Sequence, residues 1–200
     1  MTVEPLPRTG PLDAWAERFA ALPAGIRITA EPFVAMADLR VDPAGPAAAA
    51  VAAHLGVALP TAPSWVEGDT ARVIWLGPDE WLVTNPFTSP ENLEAGLRAA
   101  VSPGGGAVVD VSAQRTTLRL RGEHVRDVLA TGCAIDLHPR AFPAGSAAQT
   151  TLGLAGVVLL ALDDAGTHYQ VHVRSSFARY LATWLLDAAT EYRTDPGRGA

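Results

Sequence analysis

A chain of 200 residues with 48% hydrophobic and 18% charged side chains can build one real core, which excludes general disorder. All fifteen basic residues are arginine, and the absence of lysine excludes Schiff-base chemistry, an amine nucleophile and a P-loop lysine. Against 21 acidic residues they give a net charge of −6, so the chain as a whole gains no counterion-release attraction to nucleic acid.

Residues 1–10, rich in Pro and Gly, read as a flexible tail, and MTVEPLPRTG holds no apolar core of a signal peptide. A single domain is expected over 11–193. Leu12, Trp15, Phe19 and Leu22 recur at helical spacing. Alternation from Phe33 to Val41 predicts a strand over 33–41. Asp42-Pro43 resembles an N-cap and first helical position for the Ala-rich run to Leu55, which Gly56 can close. Residues 57–70 read as a loop. Arg72–Leu76 and Trp81–Thr84 read as strands around a Gly-Pro-Asp-Glu turn, and Ser89-Pro90-Glu91 opens a helix to about Ala100.

Val108–Val111 and Thr116–Arg121 are the next strands. In the second, Thr116, Leu118 and Leu120 face one way and Arg115, Thr117, Arg119 and Arg121 the other. A short helix follows around Val125, Val128 and Leu129, then an irregular stretch over 134–146. Gln149–Leu162 reads as one or two strands, and Asp163–Gly166 as a hairpin loop to a strand over Thr167–Arg174. Ser175 or Ser176 is expected to cap the last helix, with Phe177, Tyr180, Leu181, Trp184, Leu185 and Ala188 facing inward. Residues 194–200 read as a second flexible tail. Strands that come partly in pairs favour an α+β fold, an antiparallel sheet with packed helices, over a regular βαβ repeat.

The sequence offers little chemistry. His168 and His172 lie four apart on a strand, too far to share an ion, and read as exposed strand histidines. Cys133 is the only cysteine, so no intrachain disulfide forms; it reads as a structural thiol rather than a nucleophile. A chain without disulfides suits a reducing cytoplasm. The most apolar run, Leu152–Leu162, is well short of the ~20 residues of a spanning helix, so no membrane partner is expected. Gly104-Gly105-Gly106 precedes a strand, whereas phosphate loops follow one, and reads as a turn.

Asp110, Ser112, Gln114 and Arg115 read either as polar recognition at a strand end or as a capped turn with a solvated arginine face. Arg140, Gln149, Arg174 and Ser176 flank apolar segments, where an arginine fork can fix a carboxylate or simply pair at the surface. Trp65, Trp75, Trp81 and Trp184 read as core or interface packing. No catalytic, cofactor-binding or metal-binding residue emerges from these patterns.

The stretches WLGPDEWLV (75–83), VVDVSAQRTTLRLRG (108–122), VLATGCAIDLHPRAF (128–142), Ala148-Gln149-Thr150 and VRSSFARYLATWLLDA (173–188) resemble the gamma subunit family of heterotetrameric sarcosine oxidase. They run in family order across most of residues 26–190. The resemblance implies a fold similar to the folate-binding domain of glycine-cleavage T-protein. It also implies alpha, beta and delta partner chains in a complex that demethylates sarcosine to glycine. In that family the reaction makes hydrogen peroxide and passes a one-carbon unit to tetrahydrofolate, or releases formaldehyde without it. FAD, FMN, NAD, zinc and tetrahydrofolate belong to the other subunits, and no catalytic residue is carried over to this chain. The expectation is a cytoplasmic, non-catalytic subunit whose partner surface includes or is backed by Trp81, Arg115, Arg140 and Arg174. An independent folate-binding one-carbon protein on the same fold is the alternative.

Overall fold

Two five-stranded antiparallel sheets organise the chain, each closed on its outer side by helices; the computed structural model describes residues 8–192. Of the two expected tails, only residues 8–10 fall within the described residues. The first sheet has the order β1 (Arg27–Glu31), β7 (Arg115–Arg121), β10 (His168–Arg174), β9 (Ala155–Ala161) and β8 (Ala147–Leu152). The second runs β3 (Trp65–Glu67), β4 (Arg72–Gly77), β5 (Glu80–Asn85), β2 (Ala35–Arg40) and β6 (Ala107–Asp110). Every pairing in both sheets is antiparallel.

Strand alternation decides which residues go where. On the first sheet Ile28, Leu118, Leu120, Val171, Val173 and Leu159 point outward to a core shared with α1 (Ala16–Ala20), α4 (Val125–Ala130) and α5 (Ala178–Ala188). On the second, Ala37, Leu39, Val73, Trp81 and Val83 meet Val51, Leu55, Leu93 and Leu97 of α2 (Pro46–Leu55) and α3 (Pro90–Val101). The inner faces meet at Met36, Ile74 and Leu82 against Val158 and Leu160. Burying each such side chain contributes roughly 1.5–3 kcal/mol. Trp65 Nε1 donates to the Ala161 carbonyl at 2.9 Å and Gln149 Nε2 to the Leu76 carbonyl at 2.7 Å, so two side chains tie one sheet to the other.

Several boundaries differ from those expected. Residues 33–41 hold β2 only from Ala35, and an additional strand, β1, precedes it. The Asp42 side chain accepts from Ala44 N at 3.0 Å in a turn, and the helix starts at Pro46 instead. Gly56 ends it in the left-handed region, at φ 70°. The 57–70 loop contains β3, and Gln149–Leu162 forms parts of two strands joined at Gly153-Leu154. Ser89 does cap α3, its Oγ accepting from Asn92 N at 3.2 Å.

The last helix departs most from the expectation. Neither serine caps it; a 3-10 turn at Ser175–Phe177 leads in, and Ser175 Oγ donates to the Ala113 carbonyl at 2.9 Å. Its buried face is Ala178, Leu181, Ala182 and Leu185, leaving Phe177 and Tyr180 exposed and packed edge to face. Small alanines let α5 lie close to the sheet, which turns the bulky aromatics outward. Among the described residues no helix is long and apolar enough to cross a membrane.

Candidate partner surface

Arg115 opens β7 and Arg174 closes β10, and the two are direct cross-strand partners. Alternation puts both on the face turned toward the second sheet. Like charges directly opposite are unfavourable in a sheet unless something offsets them. Among the described residues neither has a carboxylate within 4.0 Å. Arg115 is half-buried and its Nε has no hydrogen-bond partner. Burial, then the neighbouring Arg174, hold its pKa below the ordinary arginine value, with Asp38 and Glu80 pulling the other way.

Further along the same face the arginines are satisfied. Arg119 Nε donates to Glu31 Oε1 at 2.5 Å, and Gln170 Nε2 donates to Glu31 Oε2 at 2.6 Å. Gln170 Oε1 in turn accepts from Arg72 Nη1 at 2.6 Å, and Arg72 pairs with Glu67 at 2.7 Å. This polar chain crosses from one sheet to the other. It corrects the expectation of a solvated arginine face: Arg115 and Arg119 are half-buried because a second sheet lies over them. The expectation of two exposed histidines fails at both: His168 is half-buried, and His172 is 0% exposed. Its Nδ1 shares a hydrogen bond with Thr117 Oγ1 at 3.1 Å, and burial pushes its pKa down to about 3, so the ring is neutral.

Of the two readings left open for the Asp110 segment, the turn is the one formed. Asp110 Oδ1 accepts from Ser112 N at 2.9 Å and Ser112 Oγ at 2.6 Å, while Ser112 Oγ also accepts from Met36 N at 2.9 Å. This corner is one wall of a groove of about 580 Å³. Phe33, Arg8, Arg115 and Arg179 also line it. Phe33 stands at φ 60°, a left-handed conformation that glycine or asparagine usually occupies, and it is 44% exposed. The Arg8 guanidinium lies 4.5 Å from the centre of its ring.

The four residues named from sequence do not form one patch. Arg115 and Arg174 are neighbours. Arg140 is exposed on the segment that meets the β9–β10 turn, where Ala144 N donates to Asp164 at 3.0 Å. That is the opposite end of β10 from Arg174, roughly 20 Å away along the strand. Trp81 is 1% exposed, packed beneath α2 and α3 with Nε1 donating to the Pro60 carbonyl at 2.8 Å, so it reaches no partner directly. Sequence reasoning missed Phe33, Arg8 and Arg179. The Glu31-Pro32-Phe33 turn carried a signal in its proline, but nothing local marked a left-handed phenylalanine. Among the described residues no three His, Cys, Asp or Glu side chains gather to hold a metal ion.

The sarcosine oxidase gamma subunit family matches residues 40–191 of the chain. Sarcosine oxidase subunit gamma of Corynebacterium sp. (strain U-96) is 36% identical over 162 residues, covering 80% of this chain and 77% of that protein. The Arthrobacter sp. subunit gamma is 38% identical over 162 residues, 80% of this chain and 78% of that one. In three dimensions the chain is similar to heterotetrameric sarcosine oxidase from Corynebacterium sp. U-96 in complex with pyrrole 2-carboxylate. The TM-score is 0.84 at 34% identity, over 94% of this chain and 97% of that one. The glycine cleavage system aminomethyltransferase T from Bartonella henselae shares the fold, with a TM-score of 0.62 at 15% identity, over 90% of this chain and 50% of that one.

Proposed function

Because the chain belongs to the sarcosine oxidase gamma subunit family, we propose that it serves as the gamma subunit of a heterotetrameric sarcosine oxidase and supports assembly without supplying a reacting group. In this reading its partners are an alpha, a beta and a delta chain, which carry FAD, FMN, NAD, zinc and the folate site. The complex oxidises the N-methyl group of sarcosine, reduces dioxygen to hydrogen peroxide, and leaves glycine and a one-carbon unit for tetrahydrofolate.

One observation carries the assembly role: Arg115 and Arg174 sit side by side with no acid within 4.0 Å among the described residues. A buried or half-buried guanidinium is ordinarily retained only with a carboxylate or carbonyl to satisfy it. A partner chain can supply that group. Arg140 contributes from the other end of the molecule, and Trp81 acts only from behind, by holding the segment around Pro60.

Co-expression of the tagged, full-length chain with the three other subunits tests this. The expected result is one species whose mass contains all four chains. A tagged chain that elutes alone, while the other subunits assemble without it, contradicts the reading.

A further inference from the structure

Among the exposed and recessed surfaces, the groove between the β1–β2 turn, the Asp110–Ser112 corner and the start of α5 combines unsatisfied charge with an unusual backbone. Its four carboxylates are turned to their own surroundings. Asp13 Oδ2 accepts from Gly10 N at 2.7 Å, Glu31 is paired with Arg119, and Asp110 holds Ser112. Glu91 accepts from its own backbone N–H and from Ser89, which hold its pKa below the ordinary carboxylate value, with the more distant Arg8 adding a smaller pull. The arginines of the groove are the reverse case. Arg8, Arg115 and Arg179 line it, Arg174 lies beside Arg115, and among the described residues none of the four has a carboxylate within 4.0 Å. The groove thus offers guanidinium donors that no acceptor among the described residues pairs with directly, Arg115 being balanced only at longer range by Asp38 and Glu80.

Phe33 gives the second observation. A bulky residue at φ 60° costs backbone energy, and at 44% exposure its ring returns only part of what burial gives. Such strain persists where it places a side chain for a task, and here it stands the ring at the rim beside Arg8. Aromatic and arginine side chains together are the usual anchors of protein interfaces.

We infer that this groove receives an acidic segment of another subunit, whose carboxylates meet Arg115 and Arg179 while Phe33 packs against an apolar side chain of the same segment. The inference rests on the assembly reading and adds to it the place and the chemistry of one contact. A volume of about 580 Å³ accommodates several side chains, which fits a chain segment rather than a single ion.

The test uses the full-length chain co-expressed with its three partners, measuring the fraction of the chain retained as salt is raised. Arg179→Glu and Phe33→Gly are compared with Arg98→Glu, a charge reversal on the exposed α3 surface outside the groove. Both groove variants are expected to lower retention by about tenfold or more, with Arg98→Glu near wild type. Phe33→Gly carries its own folding control: glycine relieves the left-handed strain, so its melting temperature holds or rises while its retention falls. If the wild-type chain is not retained at all, the assembly reading itself fails. If the wild type is retained and both groove variants match it, the groove is overturned and the assembly reading stands. Equal losses in all three variants likewise overturn the groove. So does unchanged retention accompanied by thermal stabilisation of the isolated chain by free succinate, which points to a small dicarboxylate instead.

Discussion

His172 sits midway along β10 with Thr117 on one side of its ring and the second sheet over it, and its neutrality ties stability to pH. Its folded pKa, about 3, lies below the ordinary histidine value, so between the two the unfolded chain binds more protons. Stability from this group is therefore complete above neutral pH and is lost as the pH falls toward the folded value. At about pH 4.5 the loss amounts to roughly 2–3 kcal/mol. Urea unfolding of wild type and His172→Gln at neutral and acid pH checks this: the acid loss shrinks by that amount in the variant. An equal loss in both proteins contradicts the assignment. Strand parity puts His172 on one face with Gln170 and Arg174, but parity alone cannot say what lies over a polar face. Here the covering layer is a second sheet more than 60 residues earlier in the chain, and no local pattern in β10 encodes it. The same limit hid the half-burial of Arg115.

At the scale of elements, local chemistry was legible wherever one residue does the whole job. Ser89 before Pro90 marked the start of α3, Gly56 the end of α2, and the alternation of β7 its two faces. Asp163 built the β9–β10 turn by accepting from Thr167 and His168 N–H groups at 2.9 and 3.2 Å. What failed were elements fixed by pairing rather than by their own pattern: β1 exists because Arg27–Glu31 pairs with Arg121–Thr117, and three-residue β3 because it pairs with β4. The α5 stripe held at Leu181, Trp184, Leu185 and Ala188 and failed at Phe177 and Tyr180, where close approach to the sheet selected Ala178 and Ala182 instead. A close approach also governs Gly122 at the end of β7, where φ is 133° and an added Cβ would run into the Gly25 carbonyl. Gly122→Ala is expected to cost about 2–4 kcal/mol by chemical denaturation, combining strain with overpacking. A change within about 0.5 kcal/mol contradicts that packing.

Taken as a whole molecule, the chain is two helix-covered sheets locked by an apolar centre, a polar chain through Arg72, Gln170, Glu31 and Arg119, and bonds from Trp65 and Gln149. That construction uses buried polar groups to join the sheets and leaves at one end an arginine face with no carboxylate within 4.0 Å among the described residues. Family membership was legible in the segments 75–83, 108–122 and 173–188, and the α+β antiparallel fold followed from strand pairing. The candidate surface was legible only in part. Arg115 and Arg174 carry sequence signals, yet their juxtaposition depends on the β7–β10 register, and Phe33 and Arg179 join them only in three dimensions.

We propose that this chain supports the complex without taking part in the chemistry. The most direct test is sarcosine turnover per assembled complex for Arg115→Ala, Arg140→Ala and Arg174→Ala, measured alongside how much of the chain each complex retains. Removing a guanidinium that a partner carboxylate satisfies costs on the order of 2–5 kcal/mol of association. The expected result is reduced retention in at least one of the three, with normal turnover in every complex that does assemble. Normal retention with turnover down about a hundredfold, equivalent to roughly 2.7 kcal/mol of transition-state stabilisation, would contradict the account and place catalytic machinery in this chain.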